Sequence, residues 1–196
     1  MEPSSAVRPP RWASPSLGLA LGLLCLASAP LGAARAEPPG ADSLGAMSGY
    51  WVHVGGDEEE EEEARRAAIE RTVQQMPLLF RPFARGRIER ATRPVAYHHI
   101  GLDGDRLTIQ SGTHPAVITD VQGSPVQSIG EGGAKEVITR QITGSCLVSR
   151  SQQGKSSGSS RFCLSPEGDA LTVTLTVQSD QLPSDIVFSV SYRRRE

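Results

Sequence analysis

Leu171-Thr172-Val173-Thr174-Leu175-Thr176-Val177 alternates leucine or valine with threonine, and Ile186, Phe188, Val190 and Tyr192 alternate in the same way with Val187, Ser189 and Ser191. Successive side chains of a β-strand point to opposite faces of the sheet. Each segment therefore carries one apolar face and one that is largely polar, as a half-buried antiparallel sheet requires. Upstream, Ile100 to Leu107 centres on Asp103-Gly104, a strong short-range hairpin signal. With that dipeptide as the turn, Ile100 faces Leu107 and His98 faces Ile109. Ala116–Val121 and Val126–Ile129 read as a second hairpin around Gly123-Ser124, Lys135–Arg150 as a long strand or a bent pair, and 151–160 as a Ser/Gly-rich loop leading into Arg161–Leu164. Ser48 to Val54, rich in aromatic and β-branched residues and stopped by Gly55-Gly56, reads as the first strand. The count is about nine strands, regularly spaced and joined by turns, which predicts a mainly β chain: a small antiparallel barrel or sandwich.

One segment breaks the pattern. Residues 57–93 lack β-branched runs, and Ala64, Ala68, Ile69, Val73 and Met76 recur near a helical period. Asp57 suits an N-cap, and Glu58–Glu63 suits the positive end of a helix dipole. Pro77 then breaks the helix, and a second helical piece is expected from about Leu78 to Ala91, closed by Pro94. The β domain thus carries one helical insertion, 57–93, after its first strand.

The first 36 residues read as a secretory signal. Arg8 and Arg11 precede an apolar stretch from Leu17 to Ala29, and Ala34-Arg35-Ala36 forms a small-x-small cleavage site. That stretch is shorter than the roughly 20 residues a spanning helix needs. The expected organisation is a signal peptide at 1–36, a flexible leader at 37–47 and one domain at 48–196, exported to the periplasm or cell exterior. Residues 37–196 keep 17 Lys+Arg against 21 Asp+Glu (20 and 22 less Arg8, Arg11, Arg35 and Glu2), a formal −4 that gives no support to nucleic-acid binding. Cys146 and Cys163 remain, and an even pair in an oxidising compartment reads as one disulfide. With Gly154-Lys155 as the turn centre the two lie directly opposite, so the bond is cross-strand and structural; no C-x-x-C spacing activates a thiol.

These residues resemble a known family. Gly49-x-Trp51 at the first strand is similar to the G-x-W that opens lipocalins and related calycin barrels. Tyr192-Arg193-Arg194 at the end of the last strand is similar to the ending whose arginine crosses that tryptophan at the closed base of the barrel. Arg194 shares the inward parity, so the resemblance assigns Gly49, Trp51 and Arg194 to the barrel base. The resemblance implies an antiparallel up-and-down β-barrel of about 8–10 strands; its helix-turn-helix insertion after the first strand departs from lipocalins and is placed as in fatty-acid-binding proteins. The chain also looks like lipocalin-like domains of exported bacterial proteins, from which no activity carries over.

The resemblance implies a small hydrophobic or amphipathic ligand in the lumen and no cofactor. On inward parity the lumen includes Trp51, Leu107, Ile109, Leu175, Phe188 and Tyr192, and the lid presents Met76, Leu79, Phe80 and Phe83. His53 and His98 also fall inward, as ligand-orienting groups or as hydrogen-bonded core residues. Whether these side chains line a pocket or fill a solid core is open at this level, as is the oligomeric state. His98 and His99 point to opposite faces and cannot chelate together; no metal site is expected. Six consecutive glutamates lack the spacing and glycine of a calcium loop. Residues 64–93 hold eight arginines against Glu70 and Glu89, so peripheral membrane contact through the Arg81–Arg93 segment is the alternative mode of action, with a filled barrel. Neither a G-x-S-x-G elbow, an H-E-x-x-H helix nor a phosphate-binding glycine loop occurs in the sequence, so no catalytic residue is assigned.

Overall fold

The computed structural model describes residues 41–54, 58–130 and 133–195; the signal-like segment and Asp57 lie outside them. In chain order the elements are α1 (Ala41–Met47), β1 (Gly49–His53), α2 (Glu58–Gln74), a 3-10 turn (Leu78–Phe80), α3 (Arg81–Ala91), β2 (Tyr97–Asp103), β3 (Arg106–Ser111), β4 (Val117–Asp120), β5 (Val126–Ile129), β6 (Lys135–Thr143), β7 (Cys146–Gln153), β8 (Ser156–Leu164), β9 (Ala170–Ser179) and β10 (Ile186–Arg195). All ladders are antiparallel, in the order β4-β3-β2-β1-β10-β9-β8-β7-β6-β5. Strands thus follow one another around an up-and-down antiparallel barrel, with β1 beside β10 and the helices inserted after β1. The barrel is nearly closed: among the described residues β4 and β5 share no ladder and leave a seam.

Ladder partners share a face, so the register sorts the interior into rows. Ile138, Ser151, Gly158, Val177 and Ile186 form one row; Arg140, Ser149, Ser160, Leu175 and Phe188 the next; Ile142, Leu147, Phe162, Val173 and Val190 the third. On the other side Trp51 is flanked by Arg194 and His98, and Ile100 meets Ile109. From the third row downward the interior is solid: Leu147, Phe162, Leu171, Val173, Tyr192, Trp51, Ile100, Leu107 and Ile109 are all buried. Each such side chain contributes about 1.5–3 kcal/mol on leaving water. Higher up, Ser149, Ser151, Gly158, Ser160, Leu175 and Val177 face inward yet stay partly exposed. The barrel therefore has a filled floor and an open upper half.

The floor is sealed from below. Trp51 donates its indole N–H to Met47 O at 2.8 Å, and the guanidinium carbon of Arg194 lies 4.5 Å from the Trp51 ring centroid. Arg194 also donates to Ser48 O at 2.7 Å and to Ala46 O. Gly49 permits this approach: its φ is 143°, and a Cβ there would sit 2.9 Å from Arg194 Nη1.

Several expectations change. Residues 41–47, read as part of a flexible leader, form α1, because Leu44 and Met47 are buried against the floor. The first hairpin turns at Gly104-Asp105, with Ile100 opposite Ile109 and His98 opposite Ser111. The shift is by two residues, so parity survives; Gly104 takes the positive φ, 58°, at the first loop position. The segments around Gly123-Ser124 do not pair with each other. Asp120 Oδ1 accepts the backbone N–H groups of Gln122 and Ser124 instead, and the two strands end the sheet on opposite sides of the seam. Serines 156–160 are strand, not loop. On α2 the buried positions are Arg65, Ala68, Ile69, Thr72 and Val73; Ala64 is exposed.

Cys146 and Cys163 stand opposite each other on β7 and β8, joined with a Cα–Cα distance of 4.4 Å. The bridge closes a loop of sequence separation 17, for which chain entropy gives about 3 kcal/mol. Cys146→Ser/Cys163→Ser is expected to fold but to lose roughly that stability in urea denaturation. A loss below about 1 kcal/mol would show that the bridge constrains little.

Candidate functional site

Strand β1 stops at His53, opposite Tyr192, while β10 continues upward to Ile186. Among the described residues the upper edge of β10 thus has no strand on that side, and α2 lies against it. Glu61 makes the join: one carboxylate oxygen accepts the Ser191 backbone N–H at 2.8 Å and the other meets His53 Nε2 at 3.3 Å. At the far end of α2, Thr72 Oγ1 and Ser184 Oγ are 3.0 Å apart. Ala68, Ile69 and Val73 supply the apolar contact between these two ties.

The two long helices are tied to each other. Arg65, itself buried, holds both oxygens of Glu62 at 2.7 Å and donates to Thr92 Oγ1 at 3.1 Å. Hydrogen bonds from Arg65, with a further one from Arg66, keep the Glu62 carboxyl below the usual range despite partial desolvation. Arg85 donates twice to Glu70 Oε2, at 2.6 and 3.2 Å, with the same effect on that carboxyl. Arg81 reaches back to the Met76 and Gln74 carbonyls, which satisfies C-terminal groups of α2. The insertion is consequently one braced lid.

Two cavities lie where this lid meets the barrel. The larger, about 970 Å³, is charged: His53, Glu61, Glu62, Arg65 and Arg93 line it together with Phe188 and Val190. The smaller, about 660 Å³, is apolar. Met76, Phe80, Phe83 and Ile88 face Val177 and Leu182, with Ser156 and Ser179 at the rim and Arg87 at the edge. We take the smaller as the mouth of the barrel, because Ser156, Ser179 and Val177 belong to the inward rows of its open half. In the larger cavity an acid–base pair is chemically available, but Glu61 is engaged in seating α2.

The residues expected to bind ligand divide accordingly. Phe80 and Phe83 line the mouth and His53 and Phe188 the charged cavity. Leu79, expected in the lid, points away and is 84% exposed. Trp51, His98, Ile109 and Tyr192 are packed into the floor. Tyr192 donates to Val95 O at 3.1 Å, and burial with the nearby Glu61 charge raises its phenol. His98 sits edge-on to Tyr192 and Phe162, with Nδ1 2.8 Å from Ser111 Oγ. His99 lies exposed on the outer face beside Tyr50. Among the described residues no group of three or more His, Cys, Asp or Glu could hold a metal, and no helix is long and apolar enough to cross a membrane.

The sequence reading missed the polar wall. Ser149, Ser151 and Ser160 line the open half with Arg140 among them, and the hint was the run of small polar residues continuing through 156–160 on strand parity. Arg140 is 4% exposed. Its Nη1 donates to Val117 O at 2.7 Å and, at 3.4 Å, to Leu107 O and Thr119 Oγ1, spanning the seam from β6 to β4 and β3.

No protein-family model matches this chain, and no curated protein does. Solved structures similar to it include the "REP1-NXSQ fatty acid transporter" (15% identity over 78% of this chain and 98% of that one, TM-score 0.48). A secretory abundant heat soluble protein from Ramazzottius varieornatus matches at 12% identity over 76% and 96%, TM-score 0.49. The fatty-acid-binding protein 1 of Echinococcus granulosus matches at 11% over 78% and 99%, TM-score 0.46. The likeness is one of fold.

Burial holds His98 at a pKa of about 4, while a free imidazole titrates near 6.5. The unfolded chain therefore takes up a proton that the native state excludes. The stability this adds is complete above about pH 6.5 and is lost as pH falls toward 4, at up to about 1.4 kcal/mol per unit. Urea unfolding at pH 7, 6 and 5 should show this slope, and His98→Gln should flatten it. An unchanged slope in the variant would assign it to another group.

Proposed function

We propose that the chain is an extracytoplasmic binding module for a small hydrophobic or amphipathic ligand, admitted beneath the helical lid into the open half of the barrel. The observation that carries this reading is the apolar mouth of about 660 Å³, a volume suited to one small ligand. Phe80 and Phe83 stand 57% and 72% exposed above it. Apolar area held in water there is recovered when a ligand covers it. The partly exposed inward side chains below the mouth supply the remaining space. An exported setting is supported by the Cys146–Cys163 bridge and by the signal-like pattern of residues 1–36. A fold alone would not choose this function.

Native mass spectrometry of protein purified from its source should show a discrete added mass that solvent extraction removes. The extracted protein should then bind the neutral probe N-phenyl-1-naphthylamine. Phe80→Ser/Phe83→Ser, both at exposed positions, should weaken probe binding roughly tenfold, about 1.4 kcal/mol. A bare polypeptide that also fails to bind the probe would overturn the reading.

A second reading, a cell-envelope protein acting through its basic helical segment, is favoured by a different feature. Leu78 and Leu79 are 77% and 84% exposed amid Arg81, Arg85, Arg87, Arg90 and Arg93, an arrangement suited to an anionic membrane surface. It predicts co-sedimentation with phosphatidylglycerol vesicles at low salt, reduced by high salt and by Leu78→Ser/Leu79→Ser. Absence of binding at low salt would remove it.

A further inference from the structure

The outer face of β1 and β2 carries a pair of phenols that neither the core nor the lid uses. Trp51 and His98 are buried inward, so Tyr50 on β1 and Tyr97 on β2 face out. The register sets Tyr50 opposite His99 and Tyr97 opposite Val52. The two tyrosines are thus diagonal neighbours across the ladder, a separation that aromatic side chains span. Their rings stack with centroids 4.8 Å apart and planes 20° from parallel. Gln110 Nε2 donates to Tyr97 Oη at 3.5 Å, and the Arg195 guanidinium carbon lies 6.0 Å from the Tyr50 ring centroid. Desolvation and then the adjoining Tyr97 hydroxyl raise the Tyr50 phenol, with Arg195 opposing them. The two hydroxyls therefore share one end of the stack, and the ring carbons ortho to them lie against each other.

Strand pairing accounts for two rings but not for two hydroxyls, since phenylalanines stack as well. The chain has three tyrosines. Tyr192 is 1% exposed and its hydroxyl is bound to Val95 O. The two that solvent reaches, Tyr50 and Tyr97, come from different strands and stand side by side.

The geometry points to Tyr50 and Tyr97 as a site of oxidative crosslinking, joined into one dityrosine by hydrogen peroxide acting through a haem peroxidase. Each phenol loses one electron to the peroxidase and its hydroxyl proton to solvent. The two phenoxyl radicals form a carbon–carbon bond between ortho positions. Each of those carbons then gives up its hydrogen as a proton, and each oxygen takes one back. Hydrogen peroxide receives the two electrons and two protons and leaves as two waters. The new bond closes a loop over 51–96, which holds all of α2, the 3-10 turn and α3. It is a covalent tie at the base of the segment that carries the lid, and it is independent of what the lumen binds.

The test treats dilute protein at pH 7.5 with a haem peroxidase and one equivalent of hydrogen peroxide, followed by peptide mapping. The product should be a monomer two hydrogens lighter than the untreated chain, with dityrosine fluorescence and a peptide linking Tyr50 to Tyr97. Its yield per chain should change less than twofold over a tenfold dilution. Tyr50→Phe and Tyr97→Phe, each of which keeps the ring stack, should each lower the fluorescence at least tenfold. An unchanged mass under conditions that couple N-acetyltyrosine amide overturns the inference. So do covalent dimers in place of the internal link, a link to Tyr192, or fluorescence that survives in either variant. The peptide map of the unaltered protein decides the matter even where a variant fails to fold.

Discussion

The first strand is half as long as the last, and much of this molecule follows from that mismatch. β1 covers five residues and β10 ten, so among the described residues the upper edge of β10 has no strand on its β1 side. An edge N–H shut away from water without an acceptor costs about as much as a lost hydrogen bond. Glu61 answers that need for Ser191 through a carboxylate, a stronger acceptor than the carbonyl a strand would have offered. The helix bearing Glu61 is thereby fixed to the barrel wall, and its apolar stripe of Ala68, Ile69 and Val73 comes down on the same side. Arg65 and Arg85 then brace α3 upon α2. The lid is in place because a strand ended early.

With the lid held by its flank, its outer end is free of packing duties. Leu78, Leu79, Phe80 and Phe83 carry little of the fold, whereas Val73, a turn or so earlier, is fully buried. The same division runs through the barrel. Below, large side chains interlock and the chain gains its stability; above, Ser and Gly replace them and leave room. Trp51, Tyr192, Phe162 and His98 anchor the floor, so their value to any ligand is indirect: they set how deep it can go. Arg140 stands at that boundary, and its reach across the seam joins the two sheet ends that backbone ladders leave unjoined.

How much of this was legible depended on whether a feature is periodic. The faces of β9 and β10 could be read from alternation, and Cys146 opposite Cys163 followed once the turn was placed at Gly154-Lys155. The order of elements and the helical insertion were equally plain. What stayed hidden was set by contacts distant in sequence. Nothing local shows that Arg65 is buried, since its burial depends on Thr92 and on α3. Asp120 redirects the chain after β4 by binding two backbone amides, which makes a turn look like a hairpin when its strands part. Inward parity groups Trp51, His98, Ile109 and Tyr192, all of them buried, but parity cannot distinguish a wall from a floor; that depends on which rows carry small residues. The serines of 156–160 resembled a loop because strand propensity undervalues small polar residues facing an open space.

That open space explains where the disulfide lies. β7 and β8 are held at their lower ends by Leu147 and Phe162, but above them their inner faces carry Ser149, Ser151, Gly158 and Ser160, with Gln153 and Ser156 at the top. No large apolar group on the inner face ties this part of the pair to the core. The bridge sits on the outer face beside the last buried row, next to Leu147 and Phe162, where it fixes the register of the pair without occupying the lumen. A side chain large enough to give the same constraint from within would have filled the cavity. The bridge thus adds a covalent constraint to the packed lower end of the pair, from the outside, and leaves the inner face above it to small polar groups.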